Sequence, residues 1–192
     1  MATKKKAKEN QLAALPRIVR RYPPENVLWA ISSSEAASAR YLQQALTEEA
    51  IPIMPAQVGQ KFELGQGASL EIIGLDNYGA SLWLEWNGFR VLLPIGLDKE
   101  TLDGFLSNPG LAQVPVVLLA DRGRDWLNPP EWIEKLQPQV ILLSVSAGDY
   151  DGLPTEETLH RLQGYTLLRT DVNGWIHLST DGKKMWVEVE NR

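Results

Sequence analysis

Few side chains in this sequence can carry acid–base or metal chemistry. The 192 residues hold two histidines, His160 and His177, and no cysteine, which excludes disulfides, thiolate zinc sites and cysteine nucleophiles. His160 falls in a predicted helix four residues after Glu156, the spacing of a surface pair. His177 lies between Ile176 and Leu178 in a predicted strand, where alternation turns it away from the face they share. Ser32, Ser33, Ser34, Ser144 and Ser146 lack a His-Asp pair spaced to activate them and lack a nucleophile elbow. Asp149, Asp151, Glu156 and Glu157 surround a loop and could hold a stray divalent ion. A polar loop leading into a helix N-terminus, which favours acids, explains them better. The most suggestive patch is Arg122, Arg124 and Asp125 around Gly123, with Trp126 beside them. Arginines near an aromatic ring can hold a phosphate or stack on a base of single-stranded DNA. The plainer alternative is an Arg-Asp surface cluster with Trp126 tucked under a loop.

These residues are positioned by an alternation of strands and helices. Apolar residues Leu12, Leu15, Ile18 and Val19 recur at helical spacing between Gln11 and Arg21, with Pro16 near the start and Tyr22-Pro23-Pro24 as the stop. Val27–Ile31 reads as a buried strand, Ser32-Ser33-Ser34 as a capping loop, 35–50 as a helix and Ile51–Met54 as a short strand. The pattern then turns to hairpins. Gly65-Gln66-Gly67 separates 61–64 from 69–73, and it reads as a turn because it lacks the strand-to-helix context of a phosphate loop. Asn87-Gly88 separates 81–86 from 89–93 and is the strongest hairpin signal in the chain. A helix at 98–106, a strand at 114–119, and a helix opened by Pro129-Pro130 and closed by Leu136 follow. Val140–Leu143 is a buried run, followed by a turn-rich loop to Pro154 and a helix from Thr155. A strand at 165–169, a turn at 171–174, a further strand and a last one at 184–189 complete an α/β pattern.

Bulk properties set limits. The length suits one domain with a substantial core, and 44% hydrophobic and 22% charged residues are ordinary for a soluble protein. A net charge of −5 argues against a general nucleic-acid binder, although a local basic patch survives such an average. No apolar run reaches the ~20 residues of a membrane span, and Met1–Asn10 lacks the apolar core of a signal peptide. The expectation is therefore a soluble chain. Lys4, Lys5, Lys6 and Lys8 form a basic head, read as a solvated terminus or as a contact for nucleic acid or anionic lipid. Seven tryptophans are a large apolar payload for cores or docking surfaces.

The succession of segments resembles the carboxy-terminal metallo-β-lactamase-like domain of the ComEC family of DNA-uptake (competence) proteins. The likeness begins at Leu15-Pro16-Arg17-Ile18-Val19-Arg20-Arg21 and continues through Ser81-Leu82-Trp83-Leu84 and Phe89-Arg90-Val91-Leu92-Leu93. It closes on Pro138-Gln139-Val140-Ile141-Leu142-Leu143-Ser144-Val145 and Leu168-Arg169-Thr170-Asp171-Val172-Asn173-Gly174. The resemblance implies an α/β fold, an αββα sandwich of two sheets between helices, here N-terminally truncated and mixed-sheet. It implies a flexible basic head over residues 1–11 and a single domain over 12–192. In intact relatives it implies a metal-dependent hydrolase or nuclease associated with DNA uptake.

The motifs expected to carry that chemistry are altered. No H-x-H-x-D-H precedes the first helix. Pro94-Ile95-Gly96-Leu97 stands where a bridging Asp belongs, and Asp98 is placed to cap a helix instead. Asp121-Arg122-Gly123-Arg124 stands for His-His-Gly-Ser, keeping the turn and losing both histidines. Gly152-Leu153-Pro154 stands for Gly-His-Pro, with Leu153 in place of the imidazole. Two-metal hydrolysis needs several His and carboxylate ligands converging on ions ~3.5–4 Å apart, and arginines would place positive charge where the cations belong. The reading is a catalytically inactive domain with no cofactor, no metal ligands and no catalytic residues. It would be a scaffold or a DNA- or protein-binding module, with Arg122, Arg124 and Trp126 as the contact. Its partner would be single-stranded DNA or a membrane-embedded channel protein, which would also hold it at the cytoplasmic membrane. One alternative is half of a metal-dependent hydrolase whose other ligands lie on an upstream segment. A second is a protein-interaction module using an exposed tryptophan surface.

Overall fold

The computed structural model describes residue 12 and residues 14–30, 37–76 and 79–191. The chain divides into two compact units, residues 1–57 and 58–192, where the sequence reading has one domain from residue 12 onward. The capping role expected of Ser32-Ser33-Ser34 lies outside the described residues.

In the first unit, helix α1 (Leu15–Arg21) carries its proline in the first turn and ends at Tyr22, whose backbone leaves the helical region. Strand β1 (Val27–Trp29), helix α2 (Ala37–Glu48) and strand β2 (Ile53–Pro55) follow. The crossover through α2 makes β1 and β2 a parallel pair, with Val27 opposite Ile53. Val19, Leu42, Leu46 and Ile51 form the core, and Leu12, Leu15, Val27 and Trp29 pack against it. The helical spacing of α1 and α2 produces this arrangement, because each buries only one stripe.

The second unit is built on β3 (Lys61–Gly65), β4 (Ala68–Asp76), β5 (Gly79–Trp86) and β6 (Phe89–Pro94), followed by α3 (Lys99–Ser107) and β7 (Val116–Leu118). Two 3-10 turns (Ala120–Gly123 and Asp125–Leu127) lead into α4 (Pro130–Leu136), β8 (Val140–Leu143), α5 (Glu156–Arg161) and β9 (Leu167–Arg169). A single helical turn α6 (Thr170–Asn173) replaces the plain turn expected there, and β10 (Ile176–Thr180) and β11 (Met185–Val189) close the chain. Strands β3 to β9 form one seven-stranded mixed sheet in sequential order. Neighbours from β3 to β6 are antiparallel, whereas β6 to β9 are parallel. The molecule is thus of mixed α/β class, and β10–β11 form a separate antiparallel pair.

Local chemistry explains much of this order. The turns Gln66-Gly67 and Asn87-Gly88 have positive φ at both residues (51° and 80°; 50° and 80°). Such turns match the twist of paired strands and join them through two-residue loops. Asp98 caps α3 by accepting from the Thr101 amide at 2.9 Å, and Thr155 caps α5 by accepting from Thr158. The core gathers Leu92, Leu102, Phe105, Val117, Trp132, Ile141 and others, with Trp83 packed against it. Phe105 of α3 and Trp132 of α4 stack at 5.9 Å between ring centroids. Lys135 on α4 donates to the carbonyls of Phe105, Leu106 and Asn108, closing the end of α3. Among the described residues no helix is long and apolar enough to cross a membrane.

Candidate functional site

The parallel order of β7, β8 and β9 brings three loops to one end of the sheet, beyond the carboxyl ends of the strands. Open α/β sheets commonly bind ligands in this position. The first loop is unusual in its backbone. Asp121, Arg122 and Gly123 all have positive φ, at 40°, 59° and 79°, and a non-glycine residue in that region costs about 1–2 kcal/mol. Asn128 offsets the cost. It is 5% exposed, accepts from the Ala120 amide at 2.9 Å and donates to the carbonyls of Ala120 and Arg124 at 3.0 and 2.7 Å. Thr158 of α5 donates to the Gly123 carbonyl at 3.0 Å. A Cβ at Gly123 would meet the Leu143 and Pro154 side chains at 3.2 Å, a tight fit that adds to the preference for glycine set by its φ of 79°.

This backbone aims Arg122 at the second loop. Its Nη1 lies 2.8 and 3.1 Å from the two oxygens of Asp149, and its Nη2 lies 2.7 Å from Asp151 Oδ2. Arg124 Nε donates to Asp121 Oδ2 at 2.6 Å, and its Nη2 stands 3.8 Å from Asp151. Three carboxylates therefore share two guanidiniums. Asp149 is the innermost, with its side chain 5% exposed against 19% for Arg122. It also accepts from the amides of Asp151 and Leu153 at 3.0 and 3.3 Å, which folds the loop around its carboxyl group.

Burial pushes the Asp149 carboxyl upward. The Arg122 guanidinium and the two amides outweigh that effect and hold it below its ordinary value. Desolvation likewise opposes the charge on Arg122, and its hydrogen bonds to Asp151 and Asp149 more than compensate, raising its pKa. The third loop is tied in by Thr170, which accepts from the Val145 amide at 2.9 Å and donates to the Val145 carbonyl at 2.7 Å. Arg169 holds Asp171 side-on at 3.0 and 2.6 Å, and that contact lowers the Asp171 pKa.

The structure brings together Arg122 and Arg124 from the predicted patch and joins them to Asp149 and Asp151, which the sequence reading assigned to a separate acidic loop. Trp126 is 45% exposed, beside the cluster in sequence. Tyr150, between the two paired aspartates, is 93% exposed. Leu153 is buried and precedes a cis peptide to Pro154. Glu156 and Glu157 lie in the first turn of α5, where Glu157 pairs with Arg161. His160 is exposed on the same helix. His177 Nδ1 faces Glu188 across the hairpin at 3.7 Å. Asn128 and Thr158, which hold the cluster's backbone, were missed. Their sequence signals are an Asn ahead of a Pro-Pro helix start and the Thr-x-x-Thr at α5, each equally compatible with an ordinary cap.

The residues present do not fit the two-metal centre that the resemblance implies. Asp149 and Asp151 converge on a guanidinium, and among the described residues no group of three or more His, Asp or Glu is arranged to hold a metal ion. No protein-family model matches the chain, and no curated protein matches it.

Proposed function

We propose that this chain is a catalytically silent metallo-β-lactamase-like domain, related to the ComEC DNA-uptake proteins, that works as a scaffold or binding module. The observation that carries the reading is the position of Arg122. Its guanidinium lies between Asp149 and Asp151, and both acids reside on the loop that ends in Gly152-Leu153-Pro154. A covalently attached cation thereby satisfies the carboxylates that a divalent ion would otherwise need. An Arg-carboxylate cluster of this kind polarises no water and cannot hold a leaving oxygen as paired metals do.

Two further features support the fold assignment. Loops from three successive parallel strands meet at one end of the sheet. The β10–β11 hairpin also suits a second layer. One row of its residues is Ile176, Leu178, Thr180, Met185, Val187 and Val189, apolar except for Thr180, and the other is His177, Ser179, Trp186 and Glu188. Its tip at Gly182 lies against Asn87, where an added Cβ would come within 2.8 Å of the Asn87 Cβ. The hairpin therefore runs from the carboxyl end of β9 to the β5–β6 turn at the opposite end of the sheet.

The deciding experiment is metal content after equilibration of the folded protein with excess zinc and manganese, followed by a nuclease assay on linear DNA. The expected result is neither bound metal nor cleavage. Stoichiometric metal with DNA cleavage would overturn the reading.

A further inference from the structure

Charge is divided unevenly along the chain. Residues 1–57 carry eight Lys and Arg against five Asp and Glu, whereas residues 58–192 carry eleven against nineteen. Within the first unit α1 buries Val19 and exposes Arg17, Ile18, Arg20 and Arg21. Arg17 and Arg21 are one helical turn apart on the outward side, with Ile18 at its flank. Arg20 is drawn to Glu48 at 2.7 Å. Ile18 is 50% exposed, and Tyr22, which ends the helix, is 67% exposed. The Arg21 guanidinium lies 5.6 Å from the Tyr22 ring centroid. Lys4, Lys5, Lys6 and Lys8 precede this helix in the sequence.

We infer that the outward face of α1 docks this unit on an anionic lipid surface. Basic side chains near such a surface are attracted by its negative potential, and a flanking aliphatic or aromatic group enters the boundary between headgroups and acyl chains. Arg17 and Arg21 supply the first element and Ile18 and Tyr22 the second. A single-stranded nucleic acid fits less well. One face of the Tyr22 ring already has a guanidinium over it, and the exposed aliphatic Ile18 offers no stacking platform for a base. This inference rests on α1 alone and is independent of the Arg122 cluster.

The test is sedimentation of the full chain with vesicles of phosphatidylcholine alone and of phosphatidylcholine mixed equally with phosphatidylglycerol. The wild type should pellet with the anionic vesicles only, and salt should release it. Because the altered side chains are exposed, the variants should keep the far-ultraviolet spectrum of the wild type. Arg17→Ala/Arg21→Ala should weaken partitioning about 30-fold, and Ile18→Ser should weaken it about 5-fold. Absence of binding to anionic vesicles would overturn the inference, as would wild-type binding by both variants. Binding of a single-stranded oligonucleotide through Arg17 and Arg21 without vesicle binding would replace it with nucleic-acid docking.

Discussion

Arg122 Nη1 meets both oxygens of Asp149, at 2.8 and 3.1 Å, across 27 residues of chain. This contact joins the loop after β7 to the loop after β8. It puts positive charge among the carboxylates at the carboxyl end of the sheet.

Removing the guanidinium should expose the cost of the buried acid. Arg122→Met leaves Asp149, 5% exposed, without its cation, and the expected loss is about 1–3 kcal/mol in urea unfolding. Adding Asp149→Asn should recover part of that loss. A single variant within about 0.5 kcal/mol of wild type, the range of neutral surface changes, would mean the pair contributes little.

The same contact predicts a pH dependence. The Asp149 and Asp171 carboxyls lie below the ordinary value of 3.8, so the folded state binds fewer protons than the unfolded chain in that region. Their stabilisation is complete above that value and is lost as pH falls through the lowered folded values. Stability should therefore fall most steeply below pH 3.8, and Asp149→Asn should flatten the slope there. An unchanged acid limb in urea titrations of the variant would remove Asp149 as a source.

Asn128 should matter more than its loop position suggests. Asn128→Ala deletes three hydrogen bonds to Ala120 and Arg124 and should cost about 2–4 kcal/mol, since the backbone groups at Ala120 stay buried. The variant should also loosen the left-handed run at Asp121 and Arg122, read as faster amide exchange at Arg122 and Gly123. Wild-type stability and exchange together would show that the loop holds its shape without Asn128.

The arginine patch makes a separate prediction about DNA. With Arg122 and Arg124 engaged by three carboxylates, Arg122→Ala/Arg124→Ala should leave oligonucleotide affinity within about twofold of wild type, a change well under 1.4 kcal/mol. A tenfold loss in a fluorescence titration would instead make these residues a nucleic-acid contact.

Short-range chemistry was legible in the chain itself. The Asn87-Gly88 and Gln66-Gly67 turns, the caps at Asp98 and Thr155, and the bounds of α4 and β8 depend on residues within four positions of one another. Local sterics and amide satisfaction settle such features before any tertiary contact forms. The Arg-Asp pairing within residues 121–125 was readable in part, because its residue types permit it, but Trp126 is 45% exposed and not tucked under a loop. Only the tertiary structure decided that Arg122 reaches Asp149 and Asp151 and that Asn128 and Thr158 support its backbone. Asn128 closes the loop from within, whereas Asp149, Asp151 and Thr158 are distant in sequence and become neighbours of this loop when β7 and β8 pair in parallel. Loop closure of that kind depends on the packing of the whole sheet, so no periodicity in the chain reports it.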